Sequence, residues 1–67
     1  MNAGIKIAKL REAKNVSQSA LAEAVGITQS MLCQIERGTK TVTLPLAVQI
    51  VKALGARITD IIDIDEE

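Results

Sequence analysis

Residues 18 to 38 read QSALAEAVGITQSMLCQIERG, a stretch whose spacing predicts two short helices bent about a tight turn. Ser17, just ahead of it, is a good N-cap, because its hydroxyl oxygen can accept from a backbone N–H left without a partner at a helix start. Leu21 and Val25 stand i,i+4 and define one buried face. Gly26 follows where a residue with positive φ commonly stops a helix. Thr28 can cap the second helix, with Ile27 at N′ meeting Leu32 at N4 as a hydrophobic staple. On that helix Leu32 and Ile35 share an inward face. Gln29, Ser30, Cys33, Gln34 and Arg37 fall on the other side of a 3.6-residue period, and Gly38 ends the run. Met31 reads as packing between helices rather than as a contact residue.

These positions extend into a wider frame. Ala22, Gly26, Leu32 and Ile35 supply the small residue, turn glycine and aliphatics of a helix-turn-helix, and Ile7, Leu10, Arg11, Ser17, Gln18, Leu21, Ile27, Thr28, Glu36, Arg37, Gly38, Ala53, Leu54 and Gly55 surround them in register. Over residues 4 to 62 the chain resembles the phage-repressor, or Cro/C1 and XRE-type, helix-turn-helix domain. The resemblance implies an all-α, five-helix, lambda-repressor-like DNA-binding domain with the motif formed by helices 2 and 3. It also implies that Arg11 reaches across to Glu36, in place of two independently solvated charges. Ala22 and Gly26 are structural positions of the same frame.

Composition narrows the remaining choices. A chain of 67 residues is one domain, since domains of about this size bury only ~60% of their unfolded surface and leave nothing for a second core. Residues 1–62 are expected to form it, with 63–67 a short, frayed acidic tail. Apolar residues are 48% of the chain without any Phe, Trp or Tyr, so the core must be aliphatic. The formal charge is zero, but its distribution is not even. Residues 1 to 59 carry all eight Lys and Arg against three Glu, and residues 60 to 67 carry five acids and no base. The globular part is therefore basic, which suits a nucleic acid as well as mere solubility. One cysteine cannot form an internal disulfide, and without His no zinc set is evident; no metal or cofactor is expected. No apolar run approaches the ~18 residues of a membrane span and no secretory signal is evident, so a reducing, cytoplasmic setting without a membrane is expected.

Along the chain, Asn2 can cap a first helix running to about Lys14, with Ile7, Leu10 and Ala13 on its buried side. Asn15 tolerates the left-handed conformation at the C′ position, where the resembling family more often has Gly. Thr39 to Val42 makes a linker with Lys40 at its centre. Thr43 caps a fourth helix, Pro45 sits in its first turn, Leu44, Ala47, Ile50, Val51 and Leu54 form its apolar stripe, and Gly55 ends it. A fifth helix of one to two turns is expected over 58 to 63, although Arg57 stands where the family usually has a capping Ser.

Function follows from what the second motif helix presents. A helix of about ten residues, ~15 Å long, fits the ~12 Å major groove of B-DNA. A Gln side chain can bond adenine at N6 and N7 together, and Ser can bond several bases. Carried over from the resembling family, Gln29, Ser30 and Gln34 match base-contacting positions, with Cys33 adjacent on the same face; an amide-rich solvated surface is the plainer alternative. Gln18 matches a phosphate-binding position at a helix start, and Arg37, Lys40, Thr41 and Thr43 lie where they could grip the backbone beside the helix. The expectation is a sequence-specific double-stranded DNA-binding transcriptional regulator, a repressor, reading the groove with the helix at 28–37. A homodimer on a palindromic operator is expected because one such helix reads only a few base pairs. Ile61, Ile62 and Ile64 are its candidate interface, unless they merely cap the core. The rival is a protein-interaction module of the same fold, an antitoxin or anti-repressor adaptor, which the acidic tail would suit. Catalysis is not expected, because the lone Cys has no evident base and no Gly-rich phosphate loop is present.

Overall fold

The computed structural model describes residues 3–62. Four helices follow in order, α1 (Ala3–Ala13), α2 (Gln18–Val25), α3 (Gln29–Arg37) and α4 (Leu44–Ala53), and then a single 3-10 turn, Ile58–Asp60. Helix α3 packs on α1 and α2, α2 also packs on α4, and α4 carries the 3-10 turn. The expected Asn2 cap, the acidic tail and Ile64 lie outside the described residues.

Short helices need well-made ends, because each leaves four N–H and four C=O groups without helical partners. Three of the starts follow one recipe. Ser17 Oγ accepts from Ala20 N at 3.1 Å, Thr28 Oγ1 from Met31 N at 3.0 Å and Thr43 Oγ1 from Leu46 N at 3.3 Å. The stops follow another. Asn15, Gly26, Gly38 and Gly55 all have positive φ, and the residue after each donates its N–H back into the helix, from Val16 to Arg11, Ile27 to Ala22, Thr39 to Gln34 and Ala56 to Val51. This is the Schellman arrangement, which accepts a helix's last carbonyls while turning the chain. Val16, Ile27 and Ala56, the residues just past three of these stops, then pack half-buried on the core. The turn chemistry thus aims each following segment inward.

The core is aliphatic, as expected: Ile7, Leu21, Ala22, Leu32, Ile35, Ala47, Ile50, Val51, Leu54 and Ile61 are buried. Each Leu, Ile or Val withdrawn from water contributes about 1.5–3 kcal/mol. Leu10, Val25, Ile27 and Met31 pack against it, which bears out Met31 as packing.

Three expectations are corrected. Ala13 is exposed, because at about 100° per residue it has rotated some 120° from Ile7, whereas Arg11, one turn past Ile7, comes round to the inner face. Leu44 is 60% exposed; as the first residue of α4 its Cβ tilts beyond the helix end, away from the packed turns, and the stripe begins at Ala47 with Leu46 half-buried beside it. The fifth helix is only the 3-10 turn. Asp60 Oδ2 accepts from Arg57 N at 2.9 Å, but an arginine side chain has no acceptor for the reciprocal bond of a capping box, and the turn closes through Ile61 N to Ile58 O at 3.1 Å. Ile61 beyond it is fully buried and caps the core instead of facing a partner.

Gly26 has φ 79° and no atom within 4 Å of the place a Cβ would occupy. A substitution there meets backbone strain and no clash. Gly26→Ala should lose about 1–2 kcal/mol and Gly26→Asn less, since Asn tolerates the left-handed region; urea melts of the two variants give the ranking.

Candidate nucleic-acid interface

The outward face of α3 carries Gln29, Ser30, Gln34 and Arg37, all exposed, and half-buried Cys33. The opposite face, Leu32 and Ile35, is sealed in the core. This division is the 3.6-residue period of the sequence made physical, and it presents the amides on a helix that cannot roll without unpacking. Thr28 sets the start of the helix, and Thr39 closes its end by donating Oγ1–H to Gln34 O at 3.1 Å. Lys40, Thr41 and Thr43 are exposed just past it; the Thr43 hydroxyl is also the α4 cap.

Beneath this face lies an ion pair. Arg11 Nε donates to Glu36 Oε2 at 2.8 Å and NH2 to Glu36 Oε1 at 3.2 Å, a bidentate fork. Their side chains are 12% and 7% exposed. The third guanidinium nitrogen donates to Val16 O at 2.9 Å, so the pair also fastens the loop between α1 and α2. Arg11 is held protonated above its ordinary value, mainly by the Glu36 hydrogen bond, against an opposing desolvation and with support from the charges of Glu36 and Glu12. The 3.8 Å approach to Glu12 is to a side chain 69% exposed and contributes little.

The polar network continues outward. Gln18 Nε2 donates to Glu36 Oε1 at 3.0 Å, and Gln29 Nε2 donates to Gln18 Oε1 at 3.3 Å. From the sequence Gln18 is expected at a phosphate and Gln29 at a base, with no link between them. The structure brings them together. The one sequence signal is that each is the first residue of its helix, immediately after the caps Ser17 and Thr28; the packing of α2 on α3 brings the two side chains together. Among the described residues no buried side-chain nitrogen or oxygen lacks a partner.

The family profile described as Helix-turn-helix matches residues 7–61. The chain belongs to the Cro/C1-type helix-turn-helix family. It is 36% identical over 62 residues to the HTH-type transcriptional regulator YgzD of Bacillus subtilis, covering 92% of this chain and 94% of that one. The crystal structure of the clp gene regulator ClgR from Corynebacterium glutamicum is similar with a TM-score of 0.87 and 33% identity, over 90% of this chain and 64% of ClgR's. That of SinR, the master regulator for biofilm formation, in complex with DNA has a TM-score of 0.83 and 29% identity, over 91% of this chain and 98% of that chain. Relatives and neighbours in this family are transcriptional regulators. Among the described residues no helix is long and apolar enough to cross a membrane.

Removing one partner of the pair strands the other in a nearly dry site. Arg11→Met and Glu36→Gln should each destabilise by about 3 kcal/mol, a large share of a typical ~5 kcal/mol for so small a domain. Chemical denaturation of both singles and the double variant checks this, and losses that simply add would show that the two residues are not coupled.

Proposed function

We propose that this protein is a cytoplasmic, sequence-specific repressor that binds double-stranded DNA as a homodimer on a palindromic site, laying α3 in the major groove. The observation that carries the reading is the division of α3 into a core-locked apolar face and an exposed face of Gln29, Ser30 and Gln34, in a chain whose structural neighbours include SinR bound to DNA. In this reading Gln29, Ser30 and Gln34 meet base edges, with Cys33 beside them. Gln18, Arg37, Lys40, Thr41 and Thr43 meet phosphates, and Arg11, Ala22, Gly26 and Glu36 hold the frame. Residues 1–62 act as the DNA-binding domain and 63–67 as an acidic tail. A second copy is invoked because a single recognition helix reads only a few base pairs, and a two-fold axis doubles the sequence read.

Selection of binding sites from random duplexes tests the reading, and spacing between enriched half-sites tests the dimer. Gln29→Ala or Gln34→Ala should then lose about 1–3 kcal/mol on the selected duplex and little on a scrambled one. Lys40→Ala should weaken both and flatten the slope of log affinity against log salt by about 0.9, one lost phosphate contact. Gln variants that bind the selected duplex as tightly as the parent would remove α3 from the groove. A parent that enriches no duplex at low salt would leave the protein-interaction module of the same fold.

A further inference from the structure

The positive charge of the folded part is not confined to the surroundings of α3. Residues 1–62 carry eight basic side chains and four acidic ones, and the next five residues, Asp63, Ile64, Asp65, Glu66 and Glu67, carry four acids and no base. On α1, Lys6 and Lys9 stand i,i+3 and so share a face; with Leu10 and Asp60 they line an open groove of about 440 Å³. Lys9 is exposed and Lys6 half-buried, while Leu10 packs against the core and gives the groove an apolar part. Asp60 has one carboxylate oxygen engaged by the Arg57 N–H at 2.9 Å, and its single charge balances only one of the two lysines. None of the four lining residues belongs to α2, α3 or the linker after α3, so the groove lies outside the candidate nucleic-acid interface.

We propose that the acidic segment 63–67 docks in this groove as an internal counter-charge and keeps other polyanions off α1. Sign, position and reach point to that occupant. The groove has positive charge to spare, and the segment brings four carboxylates. Ile61 is buried and Ile62 packs against the core, so the chain is anchored just past Asp60, where the segment begins. An extended chain spans at most ~3.3–3.6 Å per residue, so the segment can reach across ~17 Å, whereas side chains i,i+3 on a helix are only about 5–6 Å apart. In extended backbone Asp63 and Asp65 face the same way, as the two lysines do. Surface ion pairs are individually weak and are screened by salt. Tethering compensates, because a segment joined to its own groove meets it at an effective concentration in the mM range. DNA of any sequence is drawn to exposed lysines by counterion release; a groove already filled by carboxylates adds nothing to such binding, and leaves Arg37 and Lys40 beside α3 to meet a duplex. The docking stands by itself, and its effect on non-specific binding rests on the DNA-binding reading above.

Two readouts on the full chain test the proposal. In the first, backbone amide shifts are compared between the parent and a variant carrying Asp63→Asn, Asp65→Asn, Glu66→Gln and Glu67→Gln. Shifts should differ at Lys6, Lys9 and Leu10 at low salt, and the difference should vanish at about 1 M, where the Debye length is about 3 Å. Differences confined to residues 60–67 overturn the docking. Differences at Lys6 and Lys9 that fade on dilution overturn it as well, since the groove then holds the segment of a second copy. In the second readout, affinity for a scrambled duplex is titrated against salt. Neutralising the segment should tighten this binding at low salt and steepen the slope of log affinity against log salt by about 1.8, two lysine contacts to phosphate at ~0.9 each. Lys6→Gln together with Lys9→Gln should abolish that gain. An equal gain with and without the two lysines, or no gain at all, overturns the groove as the place where the acids act. Thermal melts check that each variant folds; if the double lysine variant does not, Lys9→Gln alone replaces it and should remove about half of the gain in slope. If no chain binds duplex at low salt, the DNA-binding reading falls and the amide shifts alone decide the docking.

Discussion

Arg11 and Glu36 stand 25 residues apart in the chain and meet in a bidentate ion pair with little solvent around it. Taking two charges out of water is expensive, and their attraction repays it only when every remaining donor and acceptor is used. Here Val16 O takes the spare guanidinium nitrogen and Gln18 takes the spare capacity of Glu36. So complete a set of partners can form in only one relative placement of α1, α3 and the start of α2. Greasy contacts alone would allow small slides of one helix on another; directional bonds in a low dielectric do not.

Around that pair the fold relies on local devices, because the core is modest. With no aromatic side chain in 67 residues, burial is spread over many aliphatic groups of similar size, and such a core specifies helix positions less sharply than a few large shapes would. The helix ends supply the missing precision. Ser17, Thr28 and Thr43 fix where α2, α3 and α4 begin, and the left-handed residues Asn15, Gly26, Gly38 and Gly55 fix where the helices stop and which way the chain leaves. Each helix can then be short without fraying into its neighbour.

The same economy links stability to the candidate site. Glu36 lies on α3 only two residues after Gln34, yet it is buried while Gln34 is exposed, since about 200° of helix separate them. A single nine-residue helix therefore holds at once the core contacts of Leu32 and Ile35, the buried end of the polar network, and the outward amides. Family membership agrees with this layout, in which a small all-helical body exists to hold one helix face rigid.

The sequence by itself determined the positions of the four α-helices and the sidedness of α3, since caps, left-handed stops and a 3.6-residue period are local rules that few neighbouring residues can override. Ser17, Gly26, Thr28 and Gly38 were legible for that reason, and the Arg11 to Glu36 pairing was legible only through resemblance, because no local rule connects residues so far apart. What tertiary structure alone decided was everything that depends on who packs against whom. It made Ile61 a cap on the core, since an apolar residue reads the same whether it covers its own domain or a partner. It left Leu44 in solvent and Ala13 exposed, because helical periodicity gives an angle but not the extent of the neighbouring surface. It reduced residues 58–60 to one 3-10 turn, where Arg57 offers no capping acceptor. And it joined Gln29 to Gln18 and Gln18 to Glu36, since hydrogen bonds between side chains require positions in space that spacing along the chain does not contain.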